Sequence, residues 1–580
     1  MKTAILAGGR GTRLSSLTHS IPKPMLKIGD KPILEHQILL LKKYNISDII
    51  ICSGYLSKQI ENYFRDGKKW GVNITYSKEN KPLGTAGCIK ELENKIGSNF
   101  LVLYGDVMVN MDLGCLIDYH YLKRASATLV VHPNNHPFDS DLVDVNCEYK
   151  ITNFLPKPHL EGLIFRNLVN AGVYLLSDKV FNYIKKGKKS DFGRDIFPMM
   201  LKKGEKLFAY NSTEYTKDMG TLGRLEEVRS DYKSFKISSL NLSNSRHALF
   251  LDRDGVINKE VDLLYRLEDV ELIPDAASAI KEINNTEYLA VIISNQSVVA
   301  RGLCSIEDVE MINKKLETLL GLKGAKIDRM YFCPHHPDKG YPGENIKYKI
   351  DCNCRKPKIG MIEKAKEDLN IDLRKSFLIG DQTVDIKTAK NAHITSVGVR
   401  GGYGCKDGKY DVAPDLWADD LMNAVKIIKD VKRYNKYIKI INSRMENYSS
   451  KPFVIAIGGI ARSGKSIFSS FLKKYLARKG LSTLIIDMDN WIIPANKRKK
   501  EQNVLDRFRL KNFDEDFRRI LSRNRVKLKK YDSFVRSYWD EENTVTYDAG
   551  NKDIIIVVGT CVLNSKIVDK VSNLKIYMEF

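Results

Sequence analysis

Three apolar runs in the middle of the chain each stop on residues suited to phosphate chemistry. Residues 248–251 lead into Asp252-Arg253-Asp254-Gly255, 289–293 into Ser294-Asn295-Gln296, and 376–379 into Gly380-Asp381. Parallel α/β sheets gather ligands at the carboxyl ends of their strands, so this order predicts one site shared by the three ends. Asp252 and Asp254, one residue apart, can divide the labour: one attacks phosphorus while the other gives the leaving oxygen its proton. Ser294 and Asn295 offer a hydroxyl and an amide to phosphoryl oxygens, Lys356 offers a cation, and Asp381, with Asp385 one turn later, offers carboxylate to magnesium. Isolated, D-x-D-G would equally read as a calcium loop; the strand before it and the partners after it argue against that.

Between the second and third runs lies a loop from Cys333 to Pro357. Cys333, His335, Cys352 and Cys354 form a C-x-H and a C-x-C pair, a donor set suited to closed tetrahedral zinc with sulfur distances of roughly 2.3 Å. Arg355 and Lys356 follow the last ligand at once, so a metal that pins the loop also aims two cations. His336 is read as a non-ligand. L-D-R-D-G-V-I-N, S-N-Q-S-V-V-A-R-G and C-R-K-P-K-I-G-M together resemble the haloacid dehalogenase phosphatases, within them the heptose bisphosphate phosphatases and less closely the histidinol phosphatases. The resemblance implies a capless Rossmannoid domain in which Asp252 forms an aspartyl-phosphate and Asp254 is general acid and base. It further implies that Asp252, Asp254 and Asp381 hold magnesium, that Ser294 and Lys356 grip the phosphoryl group, and that Arg355 reaches the substrate. Gln382 stands where close relatives carry lysine.

At the amino terminus, residues 2–6 form a short apolar run that enters G-G-R-G-T-R-L, Gly8 to Leu14, a strand and glycine loop that cradle phosphates. The spacing is neither a Walker loop nor a Rossmann fingerprint. Arg10 and Arg13 add charge, and Pro22-Lys23-Pro24 holds a lysine in a stiff turn. Farther on, Tyr104-Gly105-Asp106 and Lys217-Asp218-Met219 place carboxylates that would hold magnesium against a triphosphate. With P-K-P, L-G-T-A-G at 83–87 and D-M-G-T at 218–221, residues 1 to about 237 resemble the sugar-1-phosphate nucleotidyltransferases. That implies a Rossmann-like domain in which a sugar phosphate oxygen attacks the α-phosphorus and pyrophosphate leaves. Arg13 and Lys23 then stabilise charge, Asp106 and Asp218 hold the metal, and Leu6, Gly8, Gly9, Gly11, Thr12 and Gly84 line the nucleotide pocket. Lys157-Pro158 resembles the segment whose lysine meets the sugar phosphate, with Pro156 in place of its glutamate, and Asn170-Ala171-Gly172 resembles the stretch that lines the sugar pocket. Glu79 can accept hydrogen bonds from guanine, which favours GTP; as a plain surface carboxylate it would leave the base open.

Near the carboxyl terminus, residues 453–457 run into G-I-A-R-S-G-K-S, a Walker A pattern ahead of an amphipathic helix. Backbone N–H groups from Gly459 to Gly464 would cradle phosphates, Lys465 would reach the outer ones and Ser466 would bind magnesium. Asp487 and Asp489 end the next apolar run, where either can orient or deprotonate an acceptor hydroxyl. Residues 453–580 resemble the uridine kinase and phosphoribulokinase branch of P-loop kinases, which implies ATP as a ligand. Val558 replaces the glutamate of those kinases, and the sequence stops at Phe580 before their arginine-bearing lid, so binding is expected and phosphoryl transfer is left open.

The expected organisation is therefore three α/β domains: 1–237, a small polar linker, 247–412, a basic helical linker over 413–450, and 451–580. The net charge of +23 comes from lysine spread along the whole chain. Such a diffuse excess suits anionic sugar phosphates and nucleotides better than a nucleic-acid groove. A phosphatase joined to a P-loop kinase also describes nucleic-acid end-repair enzymes; the first domain, which carries no ligase lysine motif, argues against that reading. Ten cysteines, three given to zinc, fit a reducing compartment. No apolar stretch reaches the roughly 18 residues that span a bilayer, and no signal peptide is evident, so a soluble cytoplasmic protein without membrane partners is expected. Association of like chains stays open.

Overall fold

The computed structural model describes the chain except residues 10–13, 15–17, 80, 341, 447, 449–451, 462, 478, 500–501, 533–536, 539–543 and 580. It forms two compact units, Met1–Val412 and Ala413–Phe580.

The first unit is built on two large sheets. In the amino-terminal sheet, β1 (Lys2–Ala7), β2 (Asp48–Ser53), β3 (Asn73–Lys78) and β4 (Asn99–Tyr104) run parallel in the order β4-β1-β2-β3. The centres of the three inner strands are apolar and buried because both faces are covered, while the edge strand β3 alternates buried and exposed residues. β5 (Val107–Asn110) leaves this sheet, and β6 (Ala127–His132), β7 (Leu142–Val145), β8 (Ile151–Leu155), β9 (Val169–Ser177) and β10 (Leu207–Asn211) extend it, β9 antiparallel to β4. β11 (Tyr215–Asp218) pairs antiparallel with β5. Three helices matter to the site here: α1 (Ile33–Lys43), α2 (Gly84–Lys90) and α3 (Leu222–Lys233).

The second sheet is parallel, in the order β14-β13-β12-β15-β16, from β12 (His247–Leu251), β13 (Tyr288–Asn295), β14 (Arg329–Cys333), β15 (Phe377–Gly380) and β16 (Thr395–Val399). α4 (Ala276–Asn284), α5 (Ile306–Leu322) and α6 (Thr383–Asn391) flank it. Ser305 and Asp308 close the start of α5 with a reciprocal capping box.

One apolar core joins the two sheets: Leu26, Met108, Tyr215 and Leu225 pack in the same cluster as Phe250, Val291 and Leu378. The segment read from sequence as a small polar linker is packed rather than free. Leu240 and Asn241 are buried, and the Arg246 guanidinium donates to Leu369 O (2.7 Å), Thr213 Oγ1 (2.8 Å) and Leu240 O (3.3 Å). Glu214 accepts from the backbone N–H groups of Asp112 and Leu242. Short polar side chains read as a linker because composition does not show that one leucine and one arginine anchor it from both sides.

In the second unit, β17 (Phe453–Gly459), β18 (Thr483–Asp487), β19 (Ile554–Val558) and β20 (Leu574–Met578) are parallel in the order β18-β19-β17-β20. α7 (Leu421–Arg433) and α8 (Asn435–Glu446), read from sequence as one linker helix, break at Tyr434. The Tyr434 ring packs on Phe468 of α9 (Lys465–Ala477), with ring centroids 4.7 Å apart. No helix among the described residues is long and apolar enough to cross a membrane.

Candidate active sites

The phosphatase-like site lies at the carboxyl ends of β12, β13 and β15. The nucleophile candidate Asp252 follows β12 and is buried, and Lys356 Nζ lies 2.9 Å from its Oδ1 and 2.6 Å from Asp385 Oδ1. Burial, then Asp385, push the Asp252 carboxyl well above its ordinary range, against the pull of Lys356. Burial works against the charge on Lys356, but Asp252 and Asp385 outweigh it and hold the ammonium protonated. Asn295 fixes this lysine's backbone from two directions, accepting from Lys356 N (2.9 Å) and donating to Lys356 O (3.1 Å). Ser294 is buried and its hydroxyl accepts from Gln296 Nε2 (2.6 Å).

Asp254 turns to a separate set of donors. Arg253 approaches both its oxygens (3.2 and 3.1 Å), while Asn258 Nδ2 and Gln296 Nε2 donate at 2.8 Å each. Burial raises this carboxyl, but Arg253 and the hydrogen bonds more than offset it, so the free enzyme holds Asp254 ionised. The cluster that can hold a cation is Asp252, Asp381 and Asp385, whose ligand atoms lie within 4.8 Å of one another. Asp381 accepts from Tyr403 N (2.9 Å) with Oδ2, while its Oδ1 is buried and without a hydrogen-bond partner. An orphaned buried carboxylate oxygen beside two further carboxylates fits a divalent cation. Burial and Asp385 raise Asp381 to about 7, the same crowding of negative charge. Gly255, at φ +78, is required here, since a Cβ would stand 2.3 Å from Asp381 Oδ2.

Cys333, His335, Cys352 and Cys354 converge at the end of β14. Their sulfur atoms are 3.2 to 3.5 Å apart, and His335 Nδ1 lies 3.3 Å from Cys354 Sγ and 3.6 Å from Cys333 Sγ. Tetrahedral zinc with sulfur at about 2.3 Å has edges of roughly 3.7 Å, so the donor set and its spacing fit that ion. His336 turns instead toward Asp338. Arg355 donates to His335 O (3.1 Å), which ties its guanidinium to this loop.

The transferase-like site consists of two cavities that share Tyr104 and Asp106. The first is lined by the nucleotide candidates Leu6, Gly8, Gly9, Glu79 and Gly84, with Lys23. The second is lined by Lys157, Asn170, Gly172 and Asp218. Gln37 of α1 donates to Tyr104 O (2.9 Å) and Val107 O (2.7 Å), which fixes the turn that carries Asp106. The β5–β11 pair brings Asp218 opposite Val107, and Met219 N donates to Asp106 O (3.1 Å). A cation attends each carboxylate: Lys23 bonds Asp106, and Arg224 of α3 bonds both oxygens of Asp218 (3.1 and 2.8 Å). Burial raises Asp218, but Arg224 and His136 bring it below the ordinary carboxylate range. Lys157 Nζ bonds Asp139 Oδ1 (2.9 Å), which also accepts from Arg224 through Oδ2 (2.8 Å). Glu79 accepts from Leu83 N (3.1 Å) beside Gly8. Gly11, Thr12 and Arg13 lie outside the described residues.

In the second unit, Lys465 Nζ donates to Gly459 O (3.1 Å) and Ile460 O (2.5 Å), inside its own glycine loop. Asp487 is raised to about 6 by burial and by Asp489; burial also raises Asp489, against Lys465. Ser466 opens α9 directly after Lys465, and Tyr434 OH donates to Gly464 O (3.3 Å).

Sequence reasoning gave Arg224, His136, Asp139, Arg253, Asn258 and Gln296 no part. Arg253 and Asn258 lie inside D-R-D-G-V-I-N, and Arg224 three residues beyond D-M-G-T, so proximity to a motif is the available signal. Asp139 and His136 carry no local signal.

Residues 2–234 match the Nucleotidyl transferase family, and residues 353–424 the HAD-hydrolase-like family. Over 190 residues the chain is 40% identical to a D-glycero-D-manno-heptose-1,7-bisphosphate 7-phosphatase of Thermosynechococcus vestitus, covering 32% of this chain and 95% of that protein. It is 34% identical over 234 residues to a UTP–glucose-1-phosphate uridylyltransferase of Synechocystis, covering 38% of this chain and 60% of that protein. To a mannose-1-phosphate guanylyltransferase of Mycobacterium tuberculosis it is 33% identical over 219 residues, covering 37% of this chain and 60% of that protein. The chain thus spans about 60% of the length of these two nucleotidyltransferase relatives. It belongs to the D-glycero-D-manno-heptose-1,7-bisphosphate 7-phosphatase family, and it is an enzyme that carries a nucleotidyl transferase domain ahead of its phosphatase domain.

Proposed function

We propose that the chain makes a nucleotide-activated heptose in two consecutive steps. The phosphatase domain removes the distal phosphate of D-glycero-D-manno-heptose 1,7-bisphosphate, and the amino-terminal domain joins the remaining sugar 1-phosphate to a nucleotide, with GTP favoured. The observation that carries this reading is the pairing itself. A phosphatase domain 40% identical to a heptose 1,7-bisphosphate 7-phosphatase would yield a sugar 1-phosphate, the substrate class named by the relatives of the domain fused to it.

In the phosphatase domain, Asp252 attacks phosphorus, the bond from phosphorus to the sugar oxygen breaks, and that oxygen takes a proton from Asp254. The phosphate dianion raises Asp254 as it enters, because like charge favours the protonated form, and this supplies the acid that the free site lacks. Asp254 then takes a proton from the water that attacks the aspartyl-phosphate, and inorganic phosphate leaves. Lys356 and Ser294 hold the phosphoryl oxygens, and the Asn295 amide, expected from sequence to meet them too, is instead engaged by the Lys356 backbone and fixes that lysine. Magnesium held by Asp252, Asp381 and Asp385 would neutralise charge on those oxygens. Zinc held by Cys333, His335, Cys352 and Cys354 would fix the loop that aims Arg355 at the substrate.

In the transferase domain, the nucleotide occupies the glycine-lined cavity and the sugar phosphate the cavity beside Lys157, so that they meet at Asp106. A sugar phosphate oxygen attacks the α-phosphorus and the bond to the β-phosphate breaks, releasing pyrophosphate. Lys23 and Arg13 stabilise the developing charge, and Asp106 and Asp218 would hold magnesium. The Walker A loop and Lys465 support ATP binding in the carboxy-terminal domain, with Asp487 or Asp489 placed to serve an acceptor hydroxyl.

The test supplies sugar 1-phosphate with each of the four nucleoside triphosphates and follows pyrophosphate. Release with GTP in preference to the others is expected; release with none of them would refute the transferase assignment.

A further inference from the structure

Two segments of the transferase domain carry the groups that line its sugar cavity: residues 132–141, with His136 and Asp139, and residues 155–170, with Lys157 and Asn170. Neither is braced by the transferase sheet alone. Behind them lies α5, a helix of the phosphatase domain. Thr318 Oγ1 accepts from Phe165 N (3.0 Å) and lies 3.1 Å from Phe165 O, and Glu317 Oε2 accepts from Asn167 N (2.8 Å). Lys314 pairs with Asp144 (3.0 Å). Gly321 is where the helix touches the other segment: a Cβ there would stand 2.6 Å from Pro137 Cγ.

This grip reaches the sugar cavity in two hydrogen-bonded steps. Asn167 accepts from Asn134 N (3.2 Å) and donates to Asn134 O (2.7 Å), and Asn134 Nδ2 donates to Ser140 Oγ (3.0 Å). The backbone between them carries His136 and Asp139, the partners of Arg224 and Lys157. Phe165, Asn167 and Asn134 are all buried, so the chain of contacts is shielded from water. Lys281, Asn284 and Lys326 of the phosphatase domain also line the same cavity.

We propose that α5 of the phosphatase domain is a working part of the transferase, with Thr318, Glu317 and Gly321 as positioning residues that set the sugar-phosphate wall. The helix also serves its own domain, because Asn313 accepts from Arg253 NH1 (3.0 Å), the arginine that holds Asp254. Phosphatase activity is therefore an internal check that a variant's helix is in place. The inference rests on the nucleotidyl-transfer reading above.

The experiment measures both activities on the full chain for wild type, Thr318→Val, Thr318→Ser and Gly321→Ala. Valine keeps the shape and removes the hydroxyl, serine restores it, and alanine favours the helix while pressing on Pro137. The expected result for T318V is a rise of roughly tenfold in KM for the sugar 1-phosphate, about the loss of one hydrogen bond, and G321A raises the same KM by displacing the Pro137 segment. KM for the nucleotide and phosphate release stay within about twofold of wild type, and T318S recovers the wild-type value. An unchanged KM for the sugar 1-phosphate would overturn the inference, as would a parallel loss of both activities, which would mark α5 as merely structural. A wild-type chain that transfers no nucleotide would overturn the proposed function itself, so the two failures are distinguishable.

Discussion

The two sites of the first unit solve the same problem, holding phosphate among carboxylates and cations, in opposite ways. The phosphatase site is written into strand ends: Asp252 and Asp381 follow two strands of one parallel sheet, Ser294 is the penultimate residue of a third, and Lys356 reaches them from the loop that the cysteines gather. The transferase site is assembled from segments up to about two hundred residues apart, with Lys23 on Asp106 and Arg224 on Asp218, and the wall of the cavity beside Lys157 leans on a neighbouring domain. A site made of sheet termini inherits its geometry from backbone pairing. One made of loops needs each loop braced separately.

The largest effect that separates them is Asp252→Asn. Removing the nucleophile should lower phosphate release by at least about a thousandfold, while nucleotidyl transfer from supplied sugar 1-phosphate stays near wild type. Loss of both in a folded variant would break the picture of independent chemistry. The reverse variant, Lys23→Ala, should lower transfer by about a hundredfold to a thousandfold through lost charge stabilisation and leave phosphate release unchanged.

Metal content sharpens the comparison next. One zinc per chain is expected by elemental analysis, lost in Cys352→Ser, with phosphate release down by roughly ten- to a hundredfold as Arg355 and Lys356 lose their anchor. Transfer should persist, because the cysteine cluster sits in the other domain.

The smallest effect concerns acid. His120, buried in the transferase domain with Nδ1 2.8 Å from Thr128 Oγ1, is held down to about 4 by burial. Its folded value lies below the unfolded one of 6.5, so between these pH values the unfolded state binds the extra proton. Stability is complete above about 6.5 and is lost as pH falls toward 4; at pH 5 the loss is about 2 kcal/mol. His120→Gln should remove that increment from the difference between denaturant unfolding at pH 7.5 and pH 5; an unchanged difference would remove His120 from the acid response.

The same contrast decides what was legible in the sequence. Motifs that end a strand, such as Asp252-x-Asp254 and Gly380-Asp381, fix both the element and the direction of the side chain, and the structure brings them together. The cysteines and His335 were legible because few other uses fit that donor set. Asp385 shows the limit of a motif: the family resemblance gives magnesium to Asp252, Asp254 and Asp381, whereas the carboxylates that the structure gathers are Asp252, Asp381 and Asp385. Asp254, by contrast, directs its carboxylate to Arg253, Asn258 and Gln296. His136 and Asp139 are invisible because their partners, Arg224 and Lys157, are distant in sequence, and Thr318 because its partner, Phe165, lies across a domain boundary. The packed segment around Arg246 escaped notice for the same reason, since its partners, Thr213 and Leu369, are far away in sequence.

The most direct test of two steps on one chain starts from heptose 1,7-bisphosphate, with a 3′-phosphorylated oligonucleotide as the competing substrate, and follows phosphate and pyrophosphate as each nucleoside triphosphate is added. The prediction is phosphate from the sugar, then pyrophosphate in a stoichiometry near one to one when GTP is present. Phosphate released from the oligonucleotide alone, with no pyrophosphate from any nucleotide, would contradict it.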